Sequence, residues 1–391
     1  RLTILAFLLL LPCAHVSAQQ GALDTTTFVV LGGGLSAGVT DSVLIQESQK
    51  YSYPAIMARQ MNALMPLPLL RDGGPVPIIS YNFGSNNIPR TNQSTLRALP
   101  FQLFTFNVSV PFLKVSEAFN RRPATPLVPD GDYAQSMINL ILGFPQITIE
   151  NPISWSQIEY VEIISPSFVI VEMGFGDVVG GALSGDTSRI TTVSSFASDY
   201  GRMAKRLRDT TATVLLMTIP DPTDMAYFAT VDQVAAQLGT VPDQLRQRFG
   251  IQAGDLVTIG GRVEISERLL GRRNDPLSGS ALLRAPAVAA VQAAVSGMNS
   301  AISTAASSNG FKVFDLNAFT REVRNKGVRA GSLQLGGGYL EGFYSKDGLF
   351  PRPIGQAVLA NRLLDFVNAN YQTKYPNVAY DSVPQQLAPA R

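Results

Sequence analysis

A chain of 391 residues that is 46% apolar and 15% charged can bury a sizeable core, and it is neither disordered nor fibrous in composition. Its formal net charge of +2 offers no basic face for nucleic acid or anionic lipid. The single cysteine and single histidine, Cys13 and His15, both fall in the first stretch of the chain.

That stretch reads as a secretory signal over residues 1–18. Arg1 is followed by an apolar run from Leu2 to Leu11, and Val16-Ser17-Ala18 has the small-x-small form of a cleavage site. A retained membrane anchor is the rival reading, but the run is short against the roughly 20 residues of a span. Cys13 as a lipid anchor is disfavoured by Pro12, which stands where such signals carry a small residue. Cleavage after Ala18 would leave residues 19–391 as one domain with neither thiol nor imidazole. Disulfides, thiol catalysis, zinc sites built on His or Cys and a histidine base are then all excluded. The expected location is secreted, periplasmic or cell-envelope, with no cofactor implied.

Along the rest of the chain, short β-rich runs alternate with amphipathic helical patterns, which predicts a parallel sheet covered by helices on both faces. Thr27–Leu31, Val76–Phe83, Phe168–Met173, Val214–Ile219 and Phe311–Leu316 are the expected strands. A helix is expected over Pro54–Leu64, with Pro at its first position. Phe196, Tyr200, Met203 and Leu207 form one helical stripe, and Val288, Val291, Val295, Met298 and Ile302 form another. Ile354–Asn368 supplies a closing helix. Two insertions hold the remaining length. One, near 89–154, is rich in Phe and Pro; the other, near 222–286, carries short helical patterns over Val231–Leu238 and Pro242–Phe249. Insertions after strand ends lie beside the ligand crevice of an open α/β sheet.

After the first strand comes Gly32-Gly33-Gly34-Leu35-Ser36-Ala37-Gly38. Gly32-x-Gly34-x-x-Ala37 has the spacing of a dinucleotide fingerprint, but the next expected strand is too distant for a compact βαβ unit and no acidic residue closes it. Four separated segments carry a better reading. Gly32-Gly33-Gly34-Leu35-Ser36 follows strand one, Asn82-Phe83-Gly84 ends the second expected strand, Gly174-Phe175-Gly176-Asp177 ends the third, and Asp347-Gly348-Leu349-Phe350-Pro351 precedes the last helix. In order and position these blocks resemble those of the SGNH/GDSL hydrolases, secreted esterases and lipases. The resemblance implies a three-layer αβα sandwich with a parallel, flavodoxin-like sheet. It places Gly34 at the nucleophilic serine, Gly84 at the oxyanion-hole glycine, Gly176 at the oxyanion asparagine, Phe350 at the catalytic histidine and Asp347 at the retained triad acid. Gly34, Gly84, Gly174, Asp177 and Phe350 are the expected lining of a binding crevice.

A serine hydrolase needs a hydroxyl to attack, an imidazole to take its proton and donors for the oxyanion. Gly34 supplies no nucleophile and Phe350 accepts no proton. Loss of a full triad removes about 10⁶ in rate, roughly 8 kcal/mol of barrier. The expectation is an inactive member of the group whose crevice holds an acyl or glycan ligand without cleaving it. The alternatives are an active esterase with an unusual site, for which Ser36 with Lys346 is the candidate pair, and a structural interaction protein of the envelope. A crevice filled by Phe350 and aromatic residues of the insertions would favour the last. Asp130-x-Asp132 and Asp221-x-x-Asp224 are read as turn and helix-cap residues in preference to calcium ligands.

Overall fold

Apolar runs buried on both faces form the centre of the molecule. Phe28–Gly32 (β1) and Phe168–Glu172 (β2) are buried at every position, and Thr213–Met217 (β3) at all but its first. This is the pattern of a parallel sheet with both faces covered. The computed structural model describes residues 23–71, 97–99, 102, 104–127, 129, 132–143, 154–385 and 387. The expected signal, the expected strand over Val76–Phe83, Asp130 and Gly84 lie outside the described residues.

The main sheet has four strands in the order β1, β2, β3 and Lys312–Phe314, all parallel. The register sets Phe28 opposite Phe168 and Gly32 opposite Glu172. The first pair stacks its rings with centroids 5.3 Å apart. The free edge of β1 is taken by residues 106–110 of the first insertion. Val30 N–H donates to Phe106 O at 2.8 Å, Val108 N–H to Val30 O at 3.0 Å, and Val110 N–H to Gly32 O at 3.0 Å. This exchange is a short parallel ladder, fixed further by Gln157, whose Nε2 donates to the carbonyls of Gly32 and Val108. With that segment counted second in the chain, the spatial order is 2-1-3-4-5, one of the doubly wound orders of open α/β sheets.

The helices follow the expected stripes. Val193–Asp209 buries Phe196, Tyr200, Met203 and Leu207 and lies along the 25-residue helix Ala285–Asn309. Tyr53–Gln60, shorter than expected, packs on the closing helix Pro353–Tyr371. The second insertion forms a small lobe of its own. Phe228–Thr230 (β4), Leu256–Thr258 (β5) and Leu282–Leu283 (β6) make an antiparallel sheet beside helices Val231–Leu238, Pro242–Phe249 and Ile259–Leu269. Val234, Leu245, Val257 and Ile265 share an apolar cluster separate from the main core.

Candidate functional site

β1 runs into a single helical turn, Gly34–Ala37, with no side chain capping its start. The cap comes from the neighbouring strand. Glu172, the last residue of β2, accepts at Oε2 from the N–H of Gly33 at 3.1 Å, the N–H of Ser36 at 3.2 Å and the Ser36 hydroxyl at 2.6 Å. Ser36 Oγ also lies 3.0 Å from Tyr53 Oη. Ser36 and Tyr53 are wholly buried and Glu172 nearly so. Burial raises the Glu172 carboxyl above its usual range, while its three donors oppose the shift. Burial and the Glu172 charge hold the Tyr53 phenol neutral. An anion at the start of the turn is matched to the N–H groups exposed there.

Phe350 occupies the place above that turn. A Cβ built on Gly34 would lie 2.6 Å from Phe350 Cζ and 2.8 Å from Cε1, closer than real side chains approach. The ring is 2% exposed and meets two others edge-on: Phe112 with centroids 5.9 Å apart and Phe175 at 6.1 Å. Phe112 ends the 106–110 segment in a turn at φ 61°, in the left-handed region that a non-glycine residue rarely takes. The carbonyls of Phe112 and Leu113 would each stand 2.5 Å from a Cβ on Gly176, so an asparagine is sterically refused there. Gly174 is at φ 116°, where only glycine is relaxed. Asp177 is 1% exposed; its Oδ2 accepts the N–H of Val115 at 3.0 Å, and burial pushes its pKa up to about 6.

Asp347 is also buried and does structural work. Its Oδ1 accepts the N–H groups of Leu349 and Phe350 at 2.8 and 2.9 Å, and its Oδ2 that of Ser42 at 3.0 Å. It therefore fixes the turn that delivers the Phe350 ring, and burial raises its pKa. Lys346 is exposed and Ser36 is not, so the two form no nucleophile and base pair. Asp132 caps the Tyr133–Ile138 helix at Gln135 and Asp221 caps a short turn at Thr223, as read from sequence. Asp224 pairs with Arg321 at 3.4 Å. No group of three or more His, Cys, Asp or Glu is placed to hold a metal among the described residues.

The structure thus brings together Gly34, Gly174, Gly176, Asp177, Asp347 and Phe350, with Ser36 beneath them and Gly84 outside the described residues. It adds Glu172 and Tyr53, which the sequence did not place at the site, and Phe112 is the aromatic residue of the first insertion that meets Phe350 there. A charged residue closing the apolar run Phe-Val-Ile-Val-Glu, in register with a glycine turn, is the signal that would have found Glu172. The space left beside Leu35, Glu172, Phe175 and Phe350 is a cavity of about 20 Å³, room for about one water. Neither an acyl chain nor a sugar ring fits it. No imidazole or thiol exists among the described residues, since His15 and Cys13 precede them. No helix of the described residues is long and apolar enough to cross a membrane. Comparison with models of known protein families finds no match, and comparison with curated proteins finds none either.

Proposed function

We propose that this chain is an exported, non-catalytic protein on the frame of an SGNH/GDSL hydrolase, and that its role is binding through its surface, the old catalytic crevice having become core. The Phe350 ring seated on Gly34 carries the reading. It removes the space for a nucleophile and the space for a substrate together. The 2-1-3-4-5 strand order and the clustering of the glycine turn, Gly174–Asp177 and Asp347–Phe350 at one end of the sheet support the frame. The buried, fully engaged Ser36 argues against an unusual esterase.

The test is hydrolysis of p-nitrophenyl acetate and butyrate by the purified chain, beside covalent labelling by a fluorophosphonate probe. The native chain is expected to match buffer and to take no label. A Gly34→Ser, Phe350→His double variant is expected to take label at the introduced serine. Turnover by the native chain that a Ser36→Ala variant abolishes would overturn the proposal.

A further inference from the structure

Arg262 lies on the Ile259–Leu269 helix, where the second insertion meets the body, and is only 9% exposed. Its Nη2 donates to Ala226 O at 2.7 Å and to Tyr227 O at 3.4 Å. Its Nε and Nη1 are buried and have no hydrogen-bond partner among the described residues. Arg262 forms no ion pair among the described residues; a buried guanidinium left unpaired is costly, and such a charge ordinarily has a counter-ion. Charges of both signs lie nearby. Arg324, on the Leu316–Lys326 helix, donates from Nη2 to Phe228 O at 3.2 Å and to Gln233 Oε1 at 2.8 Å, both neutral acceptors. Burial and then Arg324 lower Arg262 to about 10, against smaller opposing effects of Tyr339 and Glu341.

The cover is a glycine-rich turn. Gly337 packs on the backbone of Arg324, where a Cβ would lie 2.7 Å from its Cα. Two residues on, the Tyr339 ring lies over Arg262, with its centroid 5.1 Å from Cζ. Glu341, the acid of this loop, is turned back to the N–H of Gly338 at 2.8 Å.

We propose that Arg262 and Arg324 form a binding site for a small oxyanion, the carboxylate or phosphate group of a ligand, closed over by Tyr339 on the Gly336–Gly338 turn. An oxyanion supplies the acceptors that these donors lack and neutralises two like charges at once. A guanidinium suits either group, since its planar fork matches carboxylate and phosphate oxygens alike. Tyr339 is half-buried and the next residue, Leu340, is 61% exposed, so the cover is at the surface and entry requires displacement of one loop.

Thermal unfolding of the full chain in inorganic phosphate, in acetate and in chloride at matched ionic strength tests the site. Saturating phosphate or acetate is expected to raise the Tm by roughly 3 °C over chloride. Whichever anion acts identifies the group. Arg262→Met is expected to lose this increment while its Tm in chloride equals or exceeds that of the native chain, because an uncompensated buried charge has been removed. Tyr339→Ala is expected to keep the increment and reach it at lower anion concentration. Calorimetric titration of Arg324→Gln with phosphate or acetate is expected to show weaker binding. No anion-specific increment in the native chain, or the same increment in Arg262→Met, would overturn the proposal; the second result would mark a general salt effect.

Discussion

The carboxyl end of β1 and β2 and the junction of the second insertion with the body are both rich in buried polar groups, but their charged groups are finished differently. At the first, Glu172 accepts three hydrogen bonds and Asp347 three more, and three phenylalanine rings close the surface. At the second, the Arg262 Nε and Nη1 donors are left over. Buried polar groups that are fully paired rigidify a fold, whereas unpaired ones need an explanation outside the fold. Ring packing makes the first place core, with Ser109 Oγ, Gln157 Oε1 and the Tyr344 hydroxyl unpaired around it, and the guanidinium with unused donors lies on a different element.

Removing the plug gives the largest test of that contrast. Phe350→Ala is expected to cost about 3–5 kcal/mol in urea denaturation, as a fully buried aromatic does, and to leave ester hydrolysis at the buffer rate. A small loss would mean that the ring is a mobile gate over a usable crevice. Next in size is a pH effect. Asp177 is raised from 3.8 to about 6 by burial, so its folded form prefers the proton. Its favourable contribution is full below about pH 4 and is lost as pH rises through 6, by up to about 3 kcal/mol. Glu172, Asp221 and Asp347 are raised in the same direction and steepen the slope. Stability measured from pH 4 to 7 is expected to fall, and Asp177→Asn to flatten part of the fall. Ser36→Ala is the smallest change, about 2 kcal/mol for a hydrogen bond to a carboxylate, with no effect on hydrolysis.

Much of this architecture was legible in the sequence because it rests on continuous apolar runs and helical stripes. The two helices of the second insertion run over Val231–Leu238 and Pro242–Phe249, as their periodicity indicated. The strands β1, β2 and β3 fell within two residues of their expected ends. The neighbour of β1 was not legible. Phe106-Asn107-Val108-Ser109-Val110 alternates polar and apolar residues within a stretch rich in Phe and Pro, and only the partner strand makes it part of the sheet. At the site, the blocks located the glycine turn, Gly174–Asp177 and Asp347–Phe350, but a block carries no steric information. That Gly34 and Phe350 fit one another, and that the Phe112 and Leu113 carbonyls refuse a side chain at Gly176, are properties of three-dimensional contact.

The claim that the crevice has become core is tested most directly by a double-mutant cycle between positions 34 and 350. Gly34→Ser alone is expected to lose about 1–3 kcal/mol to overpacking against the ring. In the Phe350→Ala background the same change is expected to cost at least about 1 kcal/mol less, since the obstructing ring is gone. Strict additivity of the two substitutions would show that Phe350 does not rest on Gly34 and would contradict the account.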